Sequence, residues 1–204
     1  MSRYSKQTNT LFALVGALAL VSVTTAIAVR SPPVAAVKPL IGPSGIGAEE
    51  LQSLAVRRLL MPVKGVDSKN LVDNFEEGRG KRKHEAIDIL APRGTPVVAV
   101  DDGRVAKLFT SAAGGLTVYQ FDREEKFIYY YAHLDRYADG LTPGGALKRG
   151  DILGYVGTTG NAPKNTPHLH FTIFHTGPEK KWWKGTAVNP YPFLTDREPG
   201  AANR

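Results

Sequence analysis

Four of the chain's five histidines stand in strand-like contexts where side chains could converge. In Pro167-His168-Leu169-His170-Phe171, two imidazoles flank one leucine. A strand alternates faces with a period of two, so His168 and His170 share one face while Leu169 and Phe171 take the other. The two rings then sit about 7 Å apart at Cα, a spacing suited to two groups working around one metal ion. A strand that merely turns two polar residues outward gives the same pattern, so further ligands are required. His84-Glu85-Ala86-Ile87-Asp88 offers them. In a straight strand His84 and Asp88 share a face but lie about 13 Å apart, at the limit of reach for one ion. A bend near His84 is therefore expected, or else a single helical turn that brings i and i+4 together. Ile87, Ile89 and Pro92 oppose a long helix there. The small Ala86 leaves room for an ion between its neighbours. His133 closes the apolar run Tyr129-Tyr130-Tyr131-Ala132, and simple alternation puts it on the face of Tyr129 and Tyr131. Taken alone, it reads as a half-buried side chain. His175 and Glu85 read as surface residues. There is no cysteine, so a zinc site must draw on His, Asp or Glu.

The elements that must hold these residues are short strands. Runs of β-branched and aromatic residues at 95–100, 104–109, 116–121, 127–134, 152–156 and 168–174 alternate with Gly-containing turns. Six strands without a long helix between them predict an all-β, mainly antiparallel domain over 61–195. Before it, 48–60 has apolar residues near helical spacing and reads as a short helix ending before Pro62. Residues 31–47 are rich in Pro and Gly and read as a linker, and 196–204 as a polar tail.

Residues 11–29 are apolar or small and uncharged. As a helix they would span about 28 Å, close to a bilayer core of about 30 Å. Arg3 and Lys6 precede the run, which predicts a cytoplasmic stub and a membrane helix within residues 1–30. A cleaved signal is the alternative, since Ala26-Ile27-Ala28 supplies small residues at a suitable spacing. Either reading carries the remainder across the cytoplasmic membrane into the cell envelope. The net charge of +7 suits an anionic polymer, and no nucleic-acid motif accompanies it.

Several motifs in order make a more specific pattern. They are Pro62-Val63-Lys64-Gly65, His84-x-x-x-Asp88-Ile89, Ala91-Pro92-Arg93-Gly94-Thr95-Pro96-Val97, Tyr131-Ala132-His133-Leu134, Arg149-Gly150-Asp151-Ile152-Leu153-Gly154-Tyr155-Val156-Gly157, His168-Leu169-His170-Phe171 and Asn189-Pro190-Tyr191. Together they resemble the lysostaphin-type (LytM-like) zinc metallopeptidases of bacterial cell walls, over about residues 61–194. The resemblance implies a duplicated hybrid motif domain whose groove is floored by the sheet and walled by loops. It implies Zn²⁺ as cofactor and peptide bonds in peptidoglycan stems or cross-links as substrate. It makes His84, Asp88 and His170 the metal ligands and His133 and His168 the catalytic pair, without saying which of the pair is the base. Two departures stand out. Ala86 occupies a position where the family usually has Gly, and Pro163 and Pro167 occur in a loop where many relatives have Gly.

Three ligands and one open position are what a catalytic zinc needs. There is no His-Glu-x-x-His, so no glutamate is placed as base by that motif, and neutral His133 or His168 could take the proton. A non-catalytic wall-binding or regulatory module on the same fold is the competing function. A regulatory protein partner is compatible with either. A biotin- or lipoyl-carrier reading of the Gly-Asp-Ile-Leu-Gly turn fails for want of the carrier lysine.

Overall fold

In the computed structural model, residues 46–195 are described. The expected membrane segment at 11–29, nearly all of the linker and the tail at 196–204 lie outside them. Among the described residues, no helix is long and apolar enough to cross a membrane. In chain order the elements are α1 (Ala48–Ala55), β1 (Gly78–Arg79), β2 (Arg82–Lys83), β3 (Ile87–Leu90), β4 (Pro96–Val98), β5 (Gly103–Ser111), β6 (Gly115–Asp122), β7 (Phe127–Tyr137), β8 (Ala146–Leu147), β9 (Ile152–Val156), β10 (His168–Thr176), β11 (Gly185–Val188) and α2 (Tyr191–Leu194).

Every strand pair is antiparallel. The large sheet runs β11-β10-β7-β6-β5-β8, with β3 on β10, β9 on β7 and β4 on β9. β1 and β2 form a separate two-stranded ribbon. One face of the sheet is the core. Ile87 and Ile89, Tyr129 and Tyr131, and Leu169 and Phe171 are all essentially fully buried, each pair two residues apart on its strand as the pleat demands. The tyrosines can go inside because their hydroxyls are paired. Tyr131 donates to Gln120 Oε1 at 2.7 Å and Tyr129 to Asp101 Oδ2 at 3.3 Å.

The helix before the sheet stops earlier than Pro62 alone would dictate. Arg58 takes a left-handed φ of 49°, and Leu60 N–H is committed to the Val100 carbonyl at 2.9 Å, so the chain is already extended there. α1 buries Leu51 and Leu54 in the same core as the sheet. Just after it, Arg57 bonds Asp122 Oδ2 at 2.8 Å and Asp101 Oδ2 at 3.3 Å, and the Asp122 side chain is fully buried.

Candidate metal centre

The opposite face of β10 carries the histidines. Cross-strand register places His170 opposite Asp88 of β3 on one side and Ala132 of β7 on the other. Directly opposed residues share a face, so Asp88 and His170 meet through strand pairing alone. His84 arrives by the bend that the spacing required. Glu85 adopts a φ of 56°, a left-handed conformation uncommon outside glycine. Its N–H is held by the Phe75 carbonyl at 2.9 Å, and its carbonyl accepts from Thr172 Oγ1 at 2.8 Å. Glu85 is therefore the hinge of the site. Ala86, expected beside the ion, is instead buried and does not line the cleft.

His133 corrects the alternation argument. It does not share the inward face of Tyr129 and Tyr131. The β6–β7 register slips between Leu116 and Val118, and His133 sits at a φ of 61°. Such a bulge re-aims a side chain, here onto the face of Tyr130. Its ring centroid lies 4.9 Å from that of His168 and 5.5 Å from that of His170. His175 is also not a free surface residue. It packs edge-on against Phe127 with ring centroids 5.6 Å apart, away from the cleft. Glu85 is exposed as expected, but it lines the cleft.

The hydrogen bonds fix which ring nitrogens are free. His84 Nδ1 contacts the Asn74 carbonyl at 3.1 Å, His133 Nδ1 the Thr159 carbonyl at 2.8 Å and His168 Nδ1 the Thr166 carbonyl at 2.8 Å. A carbonyl only accepts, so each of these nitrogens carries its proton and each neutral ring presents a bare Nε2. His84 Nε2, Asp88 Oδ1 and His170 Nδ1 then form a triangle with all three sides 3.1 Å. With its Nδ1 proton held by Asn74, His84 turns a lone pair toward Asp88 Oδ1, and the two are relieved either by a proton on His170 Nδ1 or by a cation among the three atoms. A tetrahedral zinc with bonds of about 2.0–2.2 Å sets its ligand atoms roughly 3.3–3.6 Å apart. The triangle is thus nearly a ready-made face for zinc, and the N,N,O donor set suits it. Burial pushes the Asp88 carboxyl up, but when the facing imidazoles of His170 and His84 are protonated their hydrogen bonds and charge outweigh it and hold the group well below the usual carboxylate range. Burial drives the His133 imidazole down to about 4 against the pull of the Thr159 carbonyl, so it is neutral at pH 7. Burial likewise lowers His170.

Supporting residues were not visible as motifs. Asn74 bonds His84 through its carbonyl and takes Asp88 N–H on its side-chain oxygen at 3.3 Å. Its own segment is tied down where Asn189 Nδ2 donates to Asp73. Thr159, which orients His133, bonds both Leu134 and Leu116 of the adjacent strands. Gly115 and Gly160 let these two loops touch: both have positive φ, and a Cβ on Gly160 would fall 2.3 Å from Gly115 N. The cleft above the triangle is a cavity of about 540 Å³. One wall is the β1–β2 ribbon and another is the loop from Asn161 to Thr166, with Pro163 facing the cavity.

The model of peptidase family M23 matches residues 82–190. The chain is 32% identical over 120 residues to the L-Ala--D-Glu endopeptidase of Bacillus subtilis strain 168, covering 56% of this chain and 35% of that protein. Its fold is similar to the solved lytM protein of Ruminococcus gnavus, with a TM-score of 0.60 at 30% identity over 72% of this chain and 63% of that one. It is also similar to Helicobacter pylori Csd3, with a TM-score of 0.52 at 28% identity over 68% of this chain and 33% of that one. The chain thus spans about a third of the length of the curated relative, and the matched region contains every residue of the triangle together with His133 and His168.

Proposed function

The chain belongs to peptidase family M23, and on that premise we propose that it is a zinc endopeptidase hydrolysing peptide bonds in peptidoglycan. One observation carries the reading. The donor triangle of His84, Asp88 and His170 leaves a position open, and two more histidines with bare Nε2 atoms stand beside it. A structural zinc site would be closed by a fourth protein ligand.

Zinc, when bound, supplies Lewis acidity that acidifies water and polarises a carbonyl. The protein's own groups supply the rest. His84 and His170 would hold the metal as imidazoles and Asp88 as a carboxylate. Asp88 would do so through Oδ1, because its Oδ2 is occupied by Arg79 at 3.1 Å. His168 Nε2 lies 3.7 Å from Asp88 Oδ1, and His133 and His168 both line the same cleft as the triangle. Neutral at Nε2, His133 or His168 accepts a proton from the attacking water. The protonated ring then donates a hydrogen bond to the oxyanion of the tetrahedral intermediate. The Thr159 and Thr166 carbonyls hold the two rings in the tautomer this requires.

The relative's name specifies an L-Ala–D-Glu bond for that protein. For this chain we propose the broader class of peptidoglycan stem or cross-link peptides. The proposed location is outside the cytoplasmic membrane, because the uncharged run at 11–29 follows Arg3 and Lys6. Digestion of purified sacculi by the zinc-loaded protein, with identification of the new peptide termini, tests the assignment. Sacculi left intact would overturn it.

A further inference from the structure

The β1–β2 ribbon places cationic side chains at the mouth of the cleft. Arg79 and Arg82 are direct cross-strand partners, so their side chains leave the same face of the ribbon. That face is the one turned to the metal centre, because Arg79 reaches Asp88 Oδ2 at 3.1 Å. Arg79 also bonds Glu77 Oε2 at 3.2 Å, so its charge is answered twice. Lys83 is paired with Glu76. Arg82 is exposed, lines the cleft and has no ion-pair partner among the described residues. Like charges directly opposite each other on a two-stranded ribbon are unfavourable. A bound anion would relieve that. The facing loop lines the cleft with neutral side chains, Asn161, Ala162, Pro163 and Thr166, while the ribbon side brings Arg79, Arg82 and Lys83 together with the carboxylate of Glu85, so positive charge is in excess on that wall.

We propose that Arg82 is the centre of a carboxylate subsite, with Arg79 anchoring the ribbon that carries it. It would select peptides bearing a free carboxylate close to the scissile bond over neutral peptides such as glycine bridges. A guanidinium suits this task because its planar fork matches a carboxylate in two hydrogen bonds. The ribbon is fixed for the purpose by the Arg79–Asp88 contact, which makes Arg82 a preformed wall of the cleft. The inference rests on the peptidase reading and adds to it the substrate's charge.

The test compares two probes on the zinc-loaded full chain. One is a peptidoglycan stem peptide with its free carboxylates, and the other is the same peptide with those carboxylates converted to primary carboxamides. The native protein should favour the first in kcat/KM by on the order of tenfold, the scale of one hydrogen-bonded charge contact at a partly open site. The ratio should shrink as salt rises toward about 1 M, where the screening length falls to about 3 Å. Arg82→Gln should bring the ratio close to one, Arg82→Lys should keep part of it, and Arg82→Glu should invert it. Zinc content should stay stoichiometric in all three, since Arg82 touches no ligand. A native ratio near one overturns the subsite and leaves the peptidase reading standing, as does a ratio that Arg82→Gln and Arg82→Glu leave at the native value. Failure of the native protein to cut either peptide or intact sacculi would instead remove the peptidase reading, and this inference with it.

Discussion

His168 and His170 are two residues apart on one strand face, yet the geometry gives them separable work. His170 supplies one of the three triangle atoms, and its replacement by Ala leaves only two. His168 contributes no triangle atom. Its Nδ1 is bonded to the Thr166 carbonyl, and its Nε2 stands 3.7 Å from Asp88 Oδ1. His168→Ala therefore removes one hydrogen bond and a buried ring packed against His133, at a cost of about 1–3 kcal/mol. Against a total stability of about 5–15 kcal/mol, the variant should fold. With all three donors intact it should bind stoichiometric zinc. Its rate should nonetheless fall by about 10²–10⁴-fold, the usual contribution of a positioned acid–base group, or about 3–5 kcal/mol in the barrier. His170→Ala should lose metal and activity together. Melting separates the two cases further. A ligand at 1,000 times its dissociation constant stabilises by about 4 kcal/mol, so His168→Ala should melt near the parent and His170→Ala near the chelated parent. The assays are elemental zinc analysis, sacculus digestion and thermal melting with and without chelator. If His168→Ala loses zinc while His170→Ala retains it, the roles are reversed. If both digest sacculi at the parent rate, the reaction occurs elsewhere.

Asn74→Ala keeps the carbonyl that orients His84 and removes only the side-chain oxygen that accepts from Asp88 N–H, so zinc binding should weaken by about tenfold, the low end of what losing a group behind the metal ligands costs. Zinc titration against a competing chelator reads this, and unchanged affinity would refute the role. Zinc retention should fall as pH drops through about 6.5, where protons compete for the imidazoles, and equilibrium dialysis across that range checks it. The metal-free protein should also lose stability as pH falls from about 6.5 toward 4. In that window the unfolded His133 holds a proton that the folded one, with its pKa near 4, does not, so the unfolded state gains with acid. Denaturant midpoints measured at both ends should show the drop. A reporter fused after Arg204 should be active outside the cytoplasmic membrane, and activity confined to the cytoplasm would refute the proposed location.

The strands were legible because their residues alternate. The run at 152–156 matches β9 in the structure, and His168, His170 and Asp88 face the cleft as period two requires. His133 was misplaced because alternation presumes an unbroken ladder, and a left-handed residue inside β7 breaks it. A bulge leaves little trace in residue type when the residue taking positive φ is not glycine. Asn74, Thr159 and Thr166 were invisible for a different reason. They act on the histidines through backbone carbonyls, which every residue possesses. The β1–β2 ribbon escaped notice because Arg and Lys fill it where β-branched residues would mark a strand. β3 was half legible: the His84–Asp88 spacing called for a bend, while Glu85 as the residue that makes it emerges only from its φ.

The tie between Arg57 and Asp122 bears on where a working fragment can begin. The motif-bearing part of the chain starts near Pro62, which invites truncation at Lys64. Such a cut would strand a fully buried carboxylate without its guanidinium, and losing one partner of a buried ion pair costs about 3–5 kcal/mol. It would also strip Leu51 and Leu54 from the core, each worth about 1.5–3 kcal/mol. The sum is comparable to the whole stability of a domain. The helix thus belongs to the folding unit, Ile46 before it is also in the core, and a fragment for enzymology should start ahead of Ile46.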